Sequence, residues 1–488
     1  VSTCLGIDVG TSSVKVVLID ENQRVLASAS SPLKLSRPRE GWSEQAPEDW
    51  WKATVAAIQA IKKQRPKHFG AIGAIGLSGQ MHGATLLDPS DQPIRPAILW
   101  NDGRADKECL ELEQLEPRLR EIAGNIAMPG FTAPKLLWVK KHEPQVFSRL
   151  AKVLLPKDYV RLKLSGDHAS DMSDASGTLW MNVGQRRWSQ ELLAATSLSE
   201  EHMPKLFEGT EATGQLSQSL QKKWGLARRP VIAGGAGDNA AAACGIGAVK
   251  PGGSFVSLGT SGVLFVSNER FSPNTANAVH AFGHAVPKTW HQMGVMLSAT
   301  ASLEWLSRVM GEPAPRLTKA LGERPKGPAP LLFLPYLSGE RTPVNDAKAR
   351  AVLCGLGHET DRKVLTHAVL DGVAFGFRDC LEALKKAGTK VERATAVGGG
   401  SKSKLWLKII ATVLGIPLDV PVAGDYGAAF GAARLGLVAS GREAAAILTR
   451  PKMSQFINPD ERMRALYEAS YETYGKLYPA TKGIIRHG

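Results

Sequence analysis

The ten residues Gly6-Ile7-Asp8-Val9-Gly10-Thr11-Ser12-Ser13-Val14-Lys15 constrain this chain more than any other stretch. Thr3 to Val9 reads as a short buried strand, and Val14 to Ile19 as a second, rich in Val and Ile. The Gly-Thr-Ser-Ser between them predicts a tight hairpin, with Gly10 supplying the turn geometry. Asp8 stands at the mouth of a turn full of backbone N–H groups and hydroxyls. Such a turn suits a phosphate beside a metal ion: N–H groups and hydroxyls take the anion, and the carboxylate takes the cation or its waters. Taken alone, the pattern is equally that of an ordinary hairpin.

The pattern recurs. Ser254-Phe255-Val256-Ser257-Leu258-Gly259-Thr260-Ser261-Gly262-Val263-Leu264-Phe265-Val266 has the same order of strand, Gly-Thr-Ser turn and strand, about half the chain later. One copy per half predicts two lobes of related fold, gripping a nucleotide between two phosphate-binding hairpins. Ser257 replaces the acid at the position of Asp8, so only the first lobe brings a carboxylate.

At 488 residues there is room for two or three domains with sizeable cores. The net charge of +14 raises nucleic-acid binding as a possibility to exclude. Lys and Arg are spread along the chain with no basic stripe interleaved with aromatics, so only weak, nonspecific binding at low salt is expected. The five cysteines are odd in number, widely spaced and without a Cys-x-x-Cys. This argues against a disulfide framework or structural zinc and for a reducing compartment. The sequence opens on a strand without a basic segment and apolar core, and no apolar run approaches a membrane span. A cytoplasmic protein is expected.

A third strand is predicted near Arg24 to Ser30, then an exposed Glu44, then a helix from Pro47 to about Lys63 with Trp51, Val55, Ile58 and Ile61 at helical spacing. Ala71 to Leu77 reads as a buried strand ending in Ser78-Gly79-Gln80-Met81-His82-Gly83. Ligands sit in loops at the carboxyl ends of such strands. Gln80 and His82 suit a polyol there, with Met81 closing one side. Asn101, Asp102 and Arg104 either bind substrate or close a turn. Asp171 to Thr178 is polar and turn-rich, with no role assignable from spacing.

The strand Pro230 to Ala233 leads through Gly234-Gly235-Ala236-Gly237 to Asp238-Asn239 and an Ala-rich run. Asp238 has an alternative reading as a helix N-cap. The lack of bulk before it favours close approach of substrate, which suits a general base. Later, helices are predicted at Ser298 to Met310 and Asp361 to Ala387, with a strand at Leu331 to Leu334. Ala394 to Val397 forms a strand, Gly398-Gly399-Gly400-Ser401-Lys402-Ser403 a turn, and Lys404 to Leu414 a helix. Another helix is predicted from Asp425 to Leu437. No Gly-x-x-x-x-Gly-Lys-Ser/Thr loop occurs.

Over essentially its whole length the chain resembles the FGGY carbohydrate kinases. The resemblance rests on Gly6 to Ser13, Gly234 to Asn239, Ser257 to Gly262 and Gly398 to Ser403 in that order, with Gly130 to His142 and Gly398 to Leu414 like the two family signatures. Trp42 to Gln45, Ser78 to Leu87, Ile98 to Arg104, Gly124 to Val139, Leu155 to Asp158, Asp171 to Gly177 and Phe333 to Pro343 look closest to bacterial members acting on D-xylulose. Glycerol-phosphorylating members carry an Arg-Glu pair where this chain has Gln80-Met81-His82.

The resemblance implies an α/β fold of duplicated ribonuclease-H-like domains, as in actin, hexokinase and Hsp70, flanking a central cleft. A first lobe over 1–244 would hold the sugar and the base, and a second over 245–488 the ATP. Asp238 matches the catalytic base, and Asp8 the acid that organises Mg²⁺ and phosphates, with both holding the metal through water. Met81, His82 and Asn239 fall at sugar-contacting positions beside Asp238. Gly10, Thr11 and Ser12, with Gly259, Thr260 and Ser261, match the two phosphate loops. Gly399, Gly400 and Ser403 match the adenosine site, although some relatives carry Asn at the position of Ser403. The implied reaction is in-line transfer from ATP to the terminal hydroxyl of D-xylulose, with lobe closure excluding water. A homodimer is implied by the same resemblance. The alternatives are a kinase for another ketose or polyol such as ribulose, and a non-catalytic actin-like ATP sensor, against which intact Asp8 and Asp238 speak.

Overall fold

The computed structural model of the chain describes residues 2–324, 326–422 and 427–484. Its first sheet opens with three antiparallel strands, β1 (Thr3–Val9), β2 (Ser13–Asp20) and β3 (Val25–Pro32). Helix α1 (Pro47–Gln64) follows, begun by Pro47 and by acids at Glu48 and Asp49. Its buried face is led by Trp50, with Ala53, Ala57, Ile58 and Ile61; Trp51 and Val55, expected in that face, lie at its margin. Then come β4 (Ile72–Gly79), α2 (Thr132–His142), α3 (Pro156–Ser165), β5 (Ala212–Gln215), β6 (Val231–Ala233) and α4 (Asp238–Ile246).

The second half contains β7 (Ser254–Leu258), β8 (Gly262–Asn268), β9 (His280–Gly283), β10 (Trp290–Met296), α5 (Thr300–Met310), α6 (Arg362–Lys386), β11 (Ala394–Val397), α7 (Lys404–Leu414), β12 (Leu418–Pro421), α8 (Ala428–Ala439) and β13 (Met453–Ile457). The start expected for α8, at Asp425, lies outside the described residues.

The sheet orders make the duplication explicit. The first runs β5-β6-β4-β1-β2-β3, and the second β9-β10-β8-β7-β11-β12-β13. Aligning β1 with β7, the strands match one for one, with the same parallel and antiparallel pairs, and β9 is an addition at one edge. Neither Gly10 nor Gly259 has a positive φ. Gly10 closes the hairpin by donating its N–H to Ser13 O at 3.1 Å.

The sheets lie on either side of residue 245, but one helix crosses back. Helix α8 packs on β1, β4 and α4 of the first lobe. The approach is backbone to backbone. A Cβ on Gly6 would stand 2.0 Å from Ala429 O, one on Gly76 1.7 Å from Ala432 O, and one on Gly431 1.8 Å from Ala241 O. Arg434, buried in the same helix, donates to Cys244 O, Gly245 O and Thr449 O, which ties down carbonyls at the end of α4. All five cysteines are free thiols. No helix among the described residues is long and apolar enough to cross a membrane.

Because neither backbone at the Gly76 crossing has room to move, Gly76→Ala is expected to lower unfolding free energy by about 3 kcal/mol, at the upper end of ordinary overpacking. Urea denaturation would measure it, and wild-type stability in that variant would show that α8 does not pack as described.

Candidate active site

Three strand ends meet at one edge of the first sheet. Asp8 of β1 is paired with Ser78 of β4, and Ser78 with Ala236 of the short segment 236–237. This register brings Asp238, the first residue of α4, to the same edge as Asp8. Ser78 Oγ donates to Asp8 Oδ1 at 2.9 Å. Asn239 donates to Asp238 Oδ1 from its backbone N–H at 2.6 Å and its side-chain amide at 2.9 Å. Oδ2 makes no hydrogen bond among the described residues. Burial, and then the charge of Asp8, push the Asp238 carboxyl up to about 6, against the pull of the Asn239 hydrogen bonds. The N-cap position of α4 belongs to Gly237, so Asp238 is not a cap.

Gln80, expected at the sugar, is hydrogen-bonded to the first hairpin. Its Oε1 accepts from Thr11 Oγ1 at 2.9 Å, and its Nε2 donates to Gln45 Oε1 at 3.0 Å and Gly10 O at 3.3 Å. Gln45 Nε2 in turn donates to Thr11 O at 2.7 Å. Gln80 is buried, and its amide is occupied in bracing the first hairpin. The Thr11 hydroxyl is also engaged, accepting from Trp100 Nε1 at 2.9 Å.

Met81 lies against Gly237, next to Asp238, and His82 follows it. A Cβ on Gly237 would meet the Met81 side chain at 2.9 Å, so glycine lets Met81 lie against the residue before Asp238. His82 has φ +70°, and Thr132 Oγ1 (3.2 Å) and Lys135 Nζ (2.9 Å) at the start of α2 hold its carbonyl. His82 Nδ1 lies 2.7 Å from Gly177 O, so that nitrogen carries the proton and Nε2 is left as an acceptor. Burial, followed by the charge of Lys135, pushes the imidazole down to about 3, and it is neutral at physiological pH.

The turn-closing reading holds for Asp102 and Arg104. Asp102 accepts from Ser43 N at 2.5 Å and from Arg104 N at 3.0 Å. Arg104 reaches Glu44 at 2.7 Å and lies 3.7 Å over the Trp42 ring. Glu44, expected to be exposed, is therefore buried between Arg95 and Arg104.

At the second hairpin, Thr260 O accepts from Ala299 N at 2.9 Å and Gly259 O from Thr300 N at 3.0 Å, so the turn lies against the start of α5. Thr260 and Ser261 are exposed. Gly398 has φ +88°, and its hydrogen faces Leu258 O at the end of β7, where a Cβ would be 2.6 Å away. Gly399, Gly400 and Ser403 line a cavity of about 800 Å³ with Thr300, Glu304 and Thr318, within the usual range for a small-ligand site. The Ser403 hydroxyl also accepts from Trp406 N at 3.3 Å and caps α7.

Sequence reasoning missed the support beneath the Gly234–Gly237 segment that precedes Asp238. Lys157 Nζ lies 2.5 Å from Asp158, 2.9 Å from Asp171 and 3.2 Å from Asp174, with all four side chains fully buried. Ser173 Oγ donates to Asp171 at 2.5 Å and accepts from Gly237 N at 3.0 Å. Arg161 clamps Ala233 O and Gly234 O at 2.7 and 2.6 Å. Burial holds the Asp174 carboxyl well above the usual range, which relieves an excess of negative charge. The polar run Asp171 to Gly177 was the available signal, but composition does not tell a buried network from a solvated turn.

Comparison with known proteins gives concordant results. The N-terminal domain of the FGGY family of carbohydrate kinases matches residues 3–245, and the C-terminal domain residues 254–440. A xylulose kinase of Escherichia coli K12 is 47% identical over 97% of this chain and 98% of its own length. A crystal structure of a xyloylose kinase from Brucella ovis superposes with a TM-score of 0.97 at 55% identity, covering 99% of this chain and 100% of that one. Xylulose kinase from Rhodospirillum rubrum superposes at 0.91 with 27% identity, covering 98% and 99%.

Removing Lys157 takes away the cation that contacts all three buried carboxyl groups. Lys157→Met is expected to cost about 3–5 kcal/mol of stability, as when one partner of a buried pair is deleted. An unchanged thermal midpoint would show that the cluster does not depend on Lys157.

Proposed function

This chain belongs to the FGGY family of carbohydrate kinases, and on that premise we propose that it phosphorylates D-xylulose to D-xylulose 5-phosphate with ATP. The observation that carries the reading is the pair Asp8 and Asp238 at one sheet edge, with Asp238 raised toward neutrality and one of its oxygens unengaged. The relatives' names supply the sugar.

In the proposed reaction, Asp238 Oδ2 accepts the proton of the sugar's terminal hydroxyl. That oxygen forms a bond to the γ-phosphorus of ATP as the bond to the leaving ADP breaks. Asn239 keeps Oδ1 occupied and orients the carboxylate. Met81 and His82 contact the sugar, with His82 Nε2 accepting from a hydroxyl. Backbone N–H groups of Thr11, Ser12 and the turn Gly259-Thr260-Ser261 meet the phosphates. Gly399, Gly400 and Ser403 border the adenosine.

Asp8 and Asp238 fit a Mg²⁺ ion held through water. They are two hard oxygen donors on one edge, and among the described residues no cluster of three or more His, Cys, Asp or Glu could enclose a metal. A magnesium ion characteristically completes its shell with water and phosphate, and when bound it would neutralise phosphate charge. We assign 1–244 to the sugar lobe and 245–488 to the nucleotide lobe, with α8 lent to the first. A substrate and ATP of this kind fit a cytoplasmic enzyme.

Coupled ADP release with a panel of ketoses and polyols tests the proposal. Turnover is expected with D-xylulose, and Asp238→Asn is expected to lower kcat by about 10³-fold or more if the base is essential. Turnover with ribulose alone would overturn the substrate, and full activity in the variant would overturn the base.

A further inference from the structure

The loop between Leu334 and Val352 brings Glu340-Arg341-Thr342 from the second half to the aromatic group around His82. Phe131 sits edge-on to His82 at 4.6 Å and to His280 at 5.6 Å, and Phe282 stacks on His280 at 5.4 Å. Arg341 Nη1 is 3.3 Å from His280 Nε2. Both flanking residues are buried and anchored. Thr342 N donates to Val295 O at 3.0 Å, and Thr342 Oγ1 accepts from Val295 N and donates to Ala278 O, each at 3.0 Å. Glu340 Oε1 accepts from Leu297 N and Arg341 N, both at 2.8 Å. Arg341 is thus held from both sides at the backbone.

Its guanidinium is far from saturated. The contact to His280 is its one side-chain hydrogen bond among the described residues, and no carboxylate pairs with it there. His280 Nδ1 lies 3.2 Å from Asn125 Oδ1, which keeps the proton on Nδ1 and leaves Nε2 as the acceptor. Glu340 is the acid next to Arg341 in sequence, and its Oε1 accepts from backbone N–H groups rather than from the guanidinium. The contact to His280, and through Phe131 to His82, puts the guanidinium on the His82 side of the site. A rigid donor fork beside neutral histidines suits two adjacent oxygens of an uncharged ligand.

We propose that Arg341 is a substrate-specificity residue, donating to O1 and O2 of the ketose, the end remote from the hydroxyl that Asp238 activates. The inference rests on the ketose-kinase reading above. It makes the second half a reader of the sugar as well as a holder of the nucleotide.

Steady-state kinetics with D-xylulose and 1-deoxy-D-xylulose test it, with ATP varied in parallel. Wild type is expected to favour D-xylulose. Arg341→Gln is expected to raise KM for D-xylulose by about 10- to 100-fold, the range for a lost charged hydrogen bond, with a smaller change for the deoxy-sugar and none in KM for ATP. Arg341→Lys keeps the charge without the fork and is expected to fall between wild type and Arg341→Gln in both KM and discrimination. Equal changes for the two sugars, an altered KM for ATP, or wild-type behaviour in both variants would overturn the proposal. A wild-type enzyme silent on D-xylulose is a failure of the substrate reading instead, and is seen before any variant is made.

Discussion

Parallel pairing of β1, β4 and the segment 236–237 fixes the level at which three strands stop, and the site depends on that level. With Asp8 opposite Ser78, and Ser78 opposite Ala236, the two carboxylates reach the same edge of the sheet. A slip of one residue in either pairing would turn a carboxylate to the opposite face of the sheet. The register is held by tight packing: glycines at 6 and 76 allow α8 to lie directly on the strands, and no larger residue fits. A helix encoded near the end of the chain therefore locks strands encoded near its start.

Placing two acids together carries an electrostatic cost, met by local hydrogen bonds. Ser78 supports Asp8, and Asn239 supports one oxygen of Asp238. The burial of Asp238, and then the remaining repulsion, raise its proton affinity, which is the property a general base needs near neutral pH. Below the loop, Lys157, Arg161 and three aspartates form a buried polar floor whose hydrogen bonds reach Gly237 and Gly234. A network of this kind gives position more than stability, since its charges must be stripped of water.

The surroundings of His82 are built differently. His82, His280 and Phe131 form a neutral aromatic wall, with Arg341 beside it. Neutral imidazoles offer one acceptor and one donor each and add no charge that would compete with phosphate. The wall joins the two halves, because Phe131 and His82 come from the first and His280 and Arg341 from the second.

The sequence by itself determined the two hairpins, the strand-to-helix turns at Gly234 and Gly398, the half-chain duplication and the identities of Asp8 and Asp238. These are local: a run of Val and Ile, a glycine turn and an acid at a strand end carry their meaning within a few residues. Only the tertiary structure decided that Gln80 braces the first hairpin, that Glu44 is buried, that Asp171 to Asp174 lies under the Gly234–Gly237 segment and that α8 crosses to the other lobe. In each case the deciding partner is distant in sequence, and an amide, carboxylate or small-residue helix looks the same in sequence whether it meets water, sugar or another part of the chain. Polar residues take their roles from burial and partner geometry, which exist only once the chain has folded.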